Sequence, residues 1–143
     1  MAYDSYSIQL DEHPGEEDLR YVLDSIRQYN LEVGGYERPR AVAYFLRDDR
    51  GQIMGGVLGD LWGKSMHIAA LWVAESERGK GHGSALMKEL EKYAAARGHL
   101  LVYVETSSFQ ALPFYESLGY RVFGDLPIAG DCTLFFLRKD LKP

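Results

Sequence analysis

Cysteine is nearly absent: the 143-residue chain holds one, Cys132. No intramolecular disulfide can form. The four histidines, His13, His67, His82 and His99, lack the spacing of a Cys/His zinc site, so no metal is expected. Cys132 reads as a small buried strand residue and not as a nucleophile. Long apolar runs are missing too. No stretch reaches the roughly 18 residues of a membrane span. The first twenty residues have neither the basic head nor the apolar core of a signal peptide, so the chain is expected to be soluble and cytoplasmic. A basic excess is also lacking. The formal net charge is −5, which disfavours general nucleic-acid binding and tilts toward a cationic partner. With no repeat, low-complexity tract or linker, residues 1–143 read as a single domain able to bury its own core.

The hydrophobic patterns that are present alternate between two periods. Residues 5–10 suggest a first strand. Residues 14–30 suggest a helix, with Leu19, Leu23 and Ile26 on one face and Glu16, Glu17 and Asp18 at its N-terminus. Residues 31–39 read as a loop. Strands over 40–47, 52–61 and 65–73 follow, joined by turns short enough to force antiparallel hairpins. Gly55, Gly56 and Gly59 in the middle strand imply a bulge or a close backbone approach. The clearest helix covers 84–97, with Leu86, Leu90, Tyr93 and Arg97 in helical register, Ser84 as its cap and Gly98 at its end. A strand over 99–105 then implies a parallel right-handed crossover. A short helix at about 110–118, with Pro113 in its first turn, precedes strands at 120–124 and 132–139. The expected architecture is α/β: a mixed, mostly antiparallel sheet with a central splayed parallel pair, flanked by helices.

Between the third hairpin strand and the long helix lies "RGKGHGSAL", residues 78–86. Three glycines at alternate positions, Gly79, Gly81 and Gly83, are costly for an ordinary turn. At the mouth of a helix they let an anion reach backbone N–H groups without meeting a Cβ, and Arg78 and Lys80 add charge at the rim. A Walker loop is excluded because no lysine follows Gly83. A dinucleotide fingerprint is nearly met by Gly79, Gly81 and Ser84, with Glu105 where a ribose-binding acid would lie. Such a loop usually opens its domain, however, and here it follows some seventy residues of other structure.

The segment "LWVAESERGKGHGSALM" resembles the acetyl-CoA signature of the GNAT N-acetyltransferase superfamily, R-x-x-G-x-G, through Arg78, Gly81 and Gly83. "ALPFYESLGY" (111–120) resembles that family's A-x-x-F-Y-x-x-x-G-[FY] segment at the spacing the family requires. The resemblance implies that backbone N–H groups from Gly79 through Lys80, Gly81, His82 and Gly83 to Ser84 hold the pyrophosphate of coenzyme A. It implies that Leu71, Trp72 and Val73 pair with the pantetheine arm. The Val73 amide would face the thioester carbonyl, and Tyr115 would serve as general acid. The family's usual Asn is replaced by Ser108, with Gln110 as the candidate substitute. His82 stands at a variable position of the motif and reads as loop filler, and His67 as a core residue.

Acyl transfer to an alkyl amine must first remove a proton. Deprotonating an ammonium of pKa ~10.4 at pH 7 costs roughly 4.6 kcal/mol, more than expelling a thiol of pKa ~8.5. Glu105 and Glu75 are the candidate bases, with an ordered water as the alternative. Tyr36, Trp62, Trp72 and the 32–40 loop are candidate lining for the acceptor pocket. The expected partner is a small-molecule or peptide amine, and at most a second copy of the chain in a homodimer. Two other readings stay open at this level: a CoA-binding regulatory module without turnover, and a nucleotide-dependent oxidoreductase.

Overall fold

The computed structural model describes residues 2–3, 5–35 and 38–141. It divides into two compact units, Met1–Glu37 and Arg38–Pro143. In the first, β1 (Ala2–Tyr3) pairs antiparallel with β2 (Tyr6–Ser7), and α1 spans Glu16–Tyr29. The expected strand over 5–10 is therefore shorter. Its partner lies just upstream, and residues 8–10 carry no ladder. The acidic first turn of α1 falls where its charges predict. The expected loop at 31–39 is corrected in part: the helix widens into a π turn over Asn30–Gly34 and stops at Gly35. Nothing between Tyr29 and Val33 breaks a helix, and the Gln28 amide donates to Glu32 across the turn at 2.7 Å.

The second unit holds β3 (Arg40–Arg47), β4 (Ile53–Trp62), β5 (Ser65–Val73), α2 (His82–Ala96), β6 (Leu101–Ser107), α3 (Leu112–Ser117), β7 (Arg121–Ala129) and β8 (Cys132–Asp140). The six strands form one sheet in the order β3-β4-β5-β6-β8-β7, with β5–β6 the parallel pair. Local chemistry sets the hairpins. Asp48 closes the first by accepting the Arg50 and Gln52 amides at 2.9 and 2.8 Å. Trp62 pairs with Ser65 across a two-residue turn in the second.

Helix α2 lies on one face of the sheet. Leu86, Met87, Leu90 and Ala94, the apolar face its period predicts, pack with Val57, Met66, Ile68, Val102, Val104 and Leu137 in a buried cluster. Each large side chain buried there contributes roughly 1.5–3 kcal/mol. Tyr93 is half-buried, with the Arg97 guanidinium 3.9 Å from its ring centroid. The glycines of β4 are explained by packing. A Cβ on Gly59 would lie 3.1 Å from Leu90 Cδ2, and one on Gly55 would lie 2.9 Å from the Trp72 carbonyl oxygen.

Two features of β5 create the site. First, Leu58 pairs with Ala70 but Gly59 pairs with Ile68, so Ala69 is an extra residue, a bulge. Strict alternation from Met66 and Ile68 would send Trp72 to the core face. The bulge reverses that parity, and Leu71 and Val73 pack against the core instead. Second, the parallel ladder with β6 runs only from Ser65–Leu101 to Ile68–Val104. Beyond it β6 stays with β8 while β5 stays with β4, and the two strands fork.

Candidate active site

The fork exposes backbone. The Ala74 amide donates to the Met54 carbonyl at 2.7 Å, so positions 70, 72 and 74 turn their polar groups toward β4. Leu71 and Val73 turn theirs the other way, into the fork. Arg78 closes this stretch: its Nε donates to the Val73 carbonyl at 2.9 Å, leaving the Val73 amide facing the opening. The sequence had placed Arg78 at the rim as a charge. Its first role in the structure is to brace the strand end.

Helix α2 begins two residues earlier than expected. Its first residue is His82, its N-cap is Gly81, and no side chain caps it. The expected cap, Ser84, is the third helical residue. Gly81 takes φ 86° and ψ 4°, a left-handed turn that starts the helix directly from the loop. The Ala85 amide is the first to be satisfied in the helix, by the Gly81 carbonyl at 3.1 Å. The amides of His82, Gly83 and Ser84 are thus left at the positive end of the helix dipole. Gly79 is also left-handed, at φ 75°, and a Cβ on Gly79 or Gly81 would meet no atom within 4 Å. The third glycine differs: Gly83 has no positive φ, and a Cβ there would make ordinary contact with Cζ of Phe114 at 3.4 Å.

These elements line a groove of about 490 Å³, formed by Leu71, Trp72, Val73, Arg78, Gly79, Gly81, His82, Gly83 and Ser84, with Glu77, Ala111 and Phe114 closing it. The groove meets a second cavity of about 320 Å³ in the fork, lined by Ile68 to Leu71, Val104, Glu105, Thr106, Gln110, Ala111 and Tyr115. Leu71 and Ala111 belong to both. The loop of glycines therefore lines a groove that shares a wall with the cavity lined by Glu105 and Tyr115. The glycine cradle, the unpartnered helix-start amides and the exposed strand edge fit a phosphorylated ligand with an extended arm.

Tyr115 enters from α3, which Pro113 initiates at a position where its missing N–H costs nothing. The side chain is buried, edge-on to Phe114 at 5.2 Å and to Tyr120 at 5.8 Å. Burial pushes its hydroxyl above the usual pKa of 10, so it is a proton donor throughout the neutral range. Glu105 stands at the fork cavity, with Oε2 2.6 Å from Nε2 of His67. His67 is not a core residue. Its Nδ1 lies 3.7 Å from Asp60, and its ring stacks on Tyr103 at 4.7 Å. Burial first, then Glu105 and Asp60, raises the Tyr103 hydroxyl above its ordinary pKa.

Several sequence candidates fall elsewhere. Lys80 is paired with Glu77 at 3.0 Å and does not line the groove. Ser108 is engaged with β8: its amide donates to the Thr133 carbonyl at 2.8 Å, and its hydroxyl accepts the Thr133 amide at 3.1 Å. Gln110 lines the fork, its Oε1 accepting the Ser107 amide at 3.0 Å. Glu75 lies in a short 3-10 turn, Glu75–Glu77, and lines neither cavity. Trp62 lies outside both linings, and Tyr36 falls outside the described residues. Cys132 is half-buried at the start of β8. Two residues went unnoticed in the sequence. Glu77 faces the groove between Lys80 and His82, the latter at 3.6 Å, and its spacing from those cations is the signal that could have found it. Asp60 carries no local signal at all. Among the described residues no cluster of three or more His, Cys, Asp or Glu could hold a metal, and no helix is long and apolar enough to cross a membrane.

A forked mixed sheet with a glycine-rich helix start at its opening defines an acetyltransferase fold. The chain superposes on an acetyltransferase from Bacillus cereus with a TM-score of 0.83 and 31% identity, over 93% of this chain and 98% of that one. It is 37% identical over 92 residues to the blasticidin-S acetyltransferase of Streptomyces morookaense, covering 63% of this chain and 68% of that one. It is 29% identical over 119 residues to an acetyltransferase of Agrobacterium fabrum, covering 82% and 87%. The model of the acetyltransferase (GNAT) family matches residues 3–120. The chain belongs to that family and is an N-acetyltransferase. Among the described strands β5–β6 is the one parallel pair, unlike the doubly wound parallel sheet of a dinucleotide-binding fold.

Proposed function

We propose that the protein binds acetyl-CoA along the groove and transfers the acetyl group directly to a primary amine entering at the fork. The observation that carries this reading is that the groove at the uncapped helix start of Gly81 adjoins, across Leu71 and Ala111, a cavity lined by both Glu105 and Tyr115. The first-turn amides of α2 and the two left-handed glycines would hold the pyrophosphate. The strand edge at Leu71 and Val73 would pair with the pantetheine arm. When bound, the cosubstrate supplies a thioester whose acyl carbon is open to attack. Glu105 takes a proton from the acceptor ammonium, restoring the lone pair on nitrogen. The Val73 amide donates to the carbonyl oxygen as negative charge grows there. As the C–N bond forms and the C–S bond breaks, Tyr115 donates its proton to the departing sulfur, and the second proton that the nitrogen sheds on becoming an amide restores the Tyr115 hydroxyl. No acyl-enzyme is involved, since Cys132 lines neither cavity.

The chain is acidic, and Asp60, Glu105 and Glu77 concentrate carboxylates around the two cavities, which favours a cationic acceptor. Blasticidin S, named for one relative, is therefore the first acceptor to test, followed by polyamines, amino acids and peptide N-termini. A thermal-shift panel of acetyl-CoA, CoA, NAD and ATP tests the cosubstrate. A ligand at 100 times its dissociation constant stabilises by about 2.7 kcal/mol, which is readily seen. Stabilisation by NAD or ATP but not by CoA would refute the assignment. A screen of acceptors for CoA release tests the transfer.

A further inference from the structure

We propose that His67 is a positioning residue for the transfer, holding Glu105 in place at the fork through its Nε2. The proposal rests on the reading of Glu105 as the base. Three adjacent strands meet at this side chain: Asp60 from β4, His67 from β5, and Tyr103 and Glu105 from β6. The His67–Tyr103 pairing in the short parallel ladder stacks the two rings and leaves Glu105 two residues further along the same face of β6. A glutamate there, one step beyond the last paired residues, would otherwise choose among several rotamers. The His67 contact at 2.6 Å removes that freedom by tying Oε2. No described hydrogen bond falls on Oε1, which leaves that oxygen for the acceptor's proton. On the far side of the ring, Asp60 Oδ2 lies 3.7 Å from Nδ1.

The proton balance is simple. The acceptor N–H bond breaks and an O–H bond forms on Oε1 of Glu105. His67 takes no part in the exchange: the carboxylate charge of Glu105 is neutralised as the acceptor ammonium loses its positive charge. Among the described residues, the groups facing His67 are Asp60, Tyr103 and Glu105.

The test compares His67→Ala, His67→Gln and Glu105→Gln by CoA release at saturating acetyl-CoA. Blasticidin S serves as one acceptor and water, in its absence, as the other. Loss of positioning is expected to lower kcat for His67→Ala by about 10- to 10²-fold, with KM for acetyl-CoA within about twofold, since the ring lies away from the groove. His67→Gln keeps an N–H donor and is expected to recover most of that loss. Glu105→Gln is expected to be the slowest of the three. If His67→Ala turns over at the wild-type rate while Glu105→Gln does not, the His67 proposal fails and the base assignment stands. If Glu105→Gln is itself unimpaired, the base assignment fails and the proposal with it. A His67→Gln variant as slow as His67→Ala also overturns positioning, because a restored N–H donor would then not restore the rate. Should His67→Ala not fold, His67→Asn, whose side chain stops short of Glu105, replaces it under the same criteria.

Discussion

Gly81 and Gly83 belong to one motif, yet alanine should act on them in opposite directions. At Gly81 the backbone is left-handed, at φ 86°. An L residue there costs about 1–2 kcal/mol. No protein atom lies within 4 Å of the new Cβ, so no clash adds to that cost. Gly81→Ala should therefore lose about 1–2 kcal/mol of stability, which for a domain of this size is a fall of roughly 3–8 °C in Tm. The open space around that Cβ is also the space an anion would use to reach the amides. Affinity for CoA should fall by more than the stability does, and Gly81→Val should lower it further. Gly83 is helical and has no positive φ. There alanine gains up to about 1 kcal/mol of helix propensity. The Cβ would sit 3.4 and 3.5 Å from the Phe114 ring, ordinary contact at its near edge. Gly83→Ala should be neutral or slightly stabilising, with CoA affinity reduced only modestly. Thermal unfolding with calorimetric titration of CoA reads both quantities. Equal effects at the two positions, or an undisturbed Gly81→Ala, would refute the reasoning.

Tyr115→Phe keeps the ring packing against Phe114 and Tyr120 and should lower kcat by about 10²-fold with acetyl-CoA affinity little changed, measured by steady-state CoA release. Cys132→Ser should leave transfer intact, and mass spectrometry of the enzyme mixed with acetyl-CoA alone should find no acetylated species competent for transfer. Glu77→Gln removes the carboxylate that faces the groove and holds Lys80 and His82, so CoA should bind more tightly, about 2- to 10-fold by titration at low salt. Burial, then Glu91 and Tyr115, raises the Tyr120 hydroxyl well above 10, and that buried oxygen has no hydrogen-bond partner. The native state then keeps a proton that the unfolded chain releases, so this contribution to stability is complete below pH 10 and is lost as pH rises beyond it. Tyr120→Phe should be neutral or more stable by up to about 1–2 kcal/mol at pH 7 and should unfold at higher pH than wild type in alkaline titration.

Local periodicity made much of this protein legible from its residues. The apolar face of α2 repeats at helical spacing through Leu86, Leu90 and Ala94, and that repeat survives any tertiary context that offers a core. The turns at 48–51 and 62–64 are too short for anything but antiparallel hairpins, so β3, β4 and β5 follow from them. The glycines of the 78–84 loop announce backbone that must stay bare, because each residue type reports its own steric demand. What the tertiary structure decided is everything that depends on register between distant strands. The extra residue at Ala69 reverses the facing of Leu71, Trp72 and Val73, and no composition rule marks alanine as a bulge. The start of α2 moved from Ser84 to His82 because a left-handed glycine at 81 can turn the loop straight into the helix without a side-chain cap. Gly83 lines the groove as the motif implies, but its neighbour Phe114, thirty-one residues on, is visible only in the folded chain. His67 read as core because a lone histidine in an apolar strand has no visible partner. Its partners, Asp60 and Glu105, come from the strands on either side, and only the ladder registers bring three separate stretches of chain to one ring.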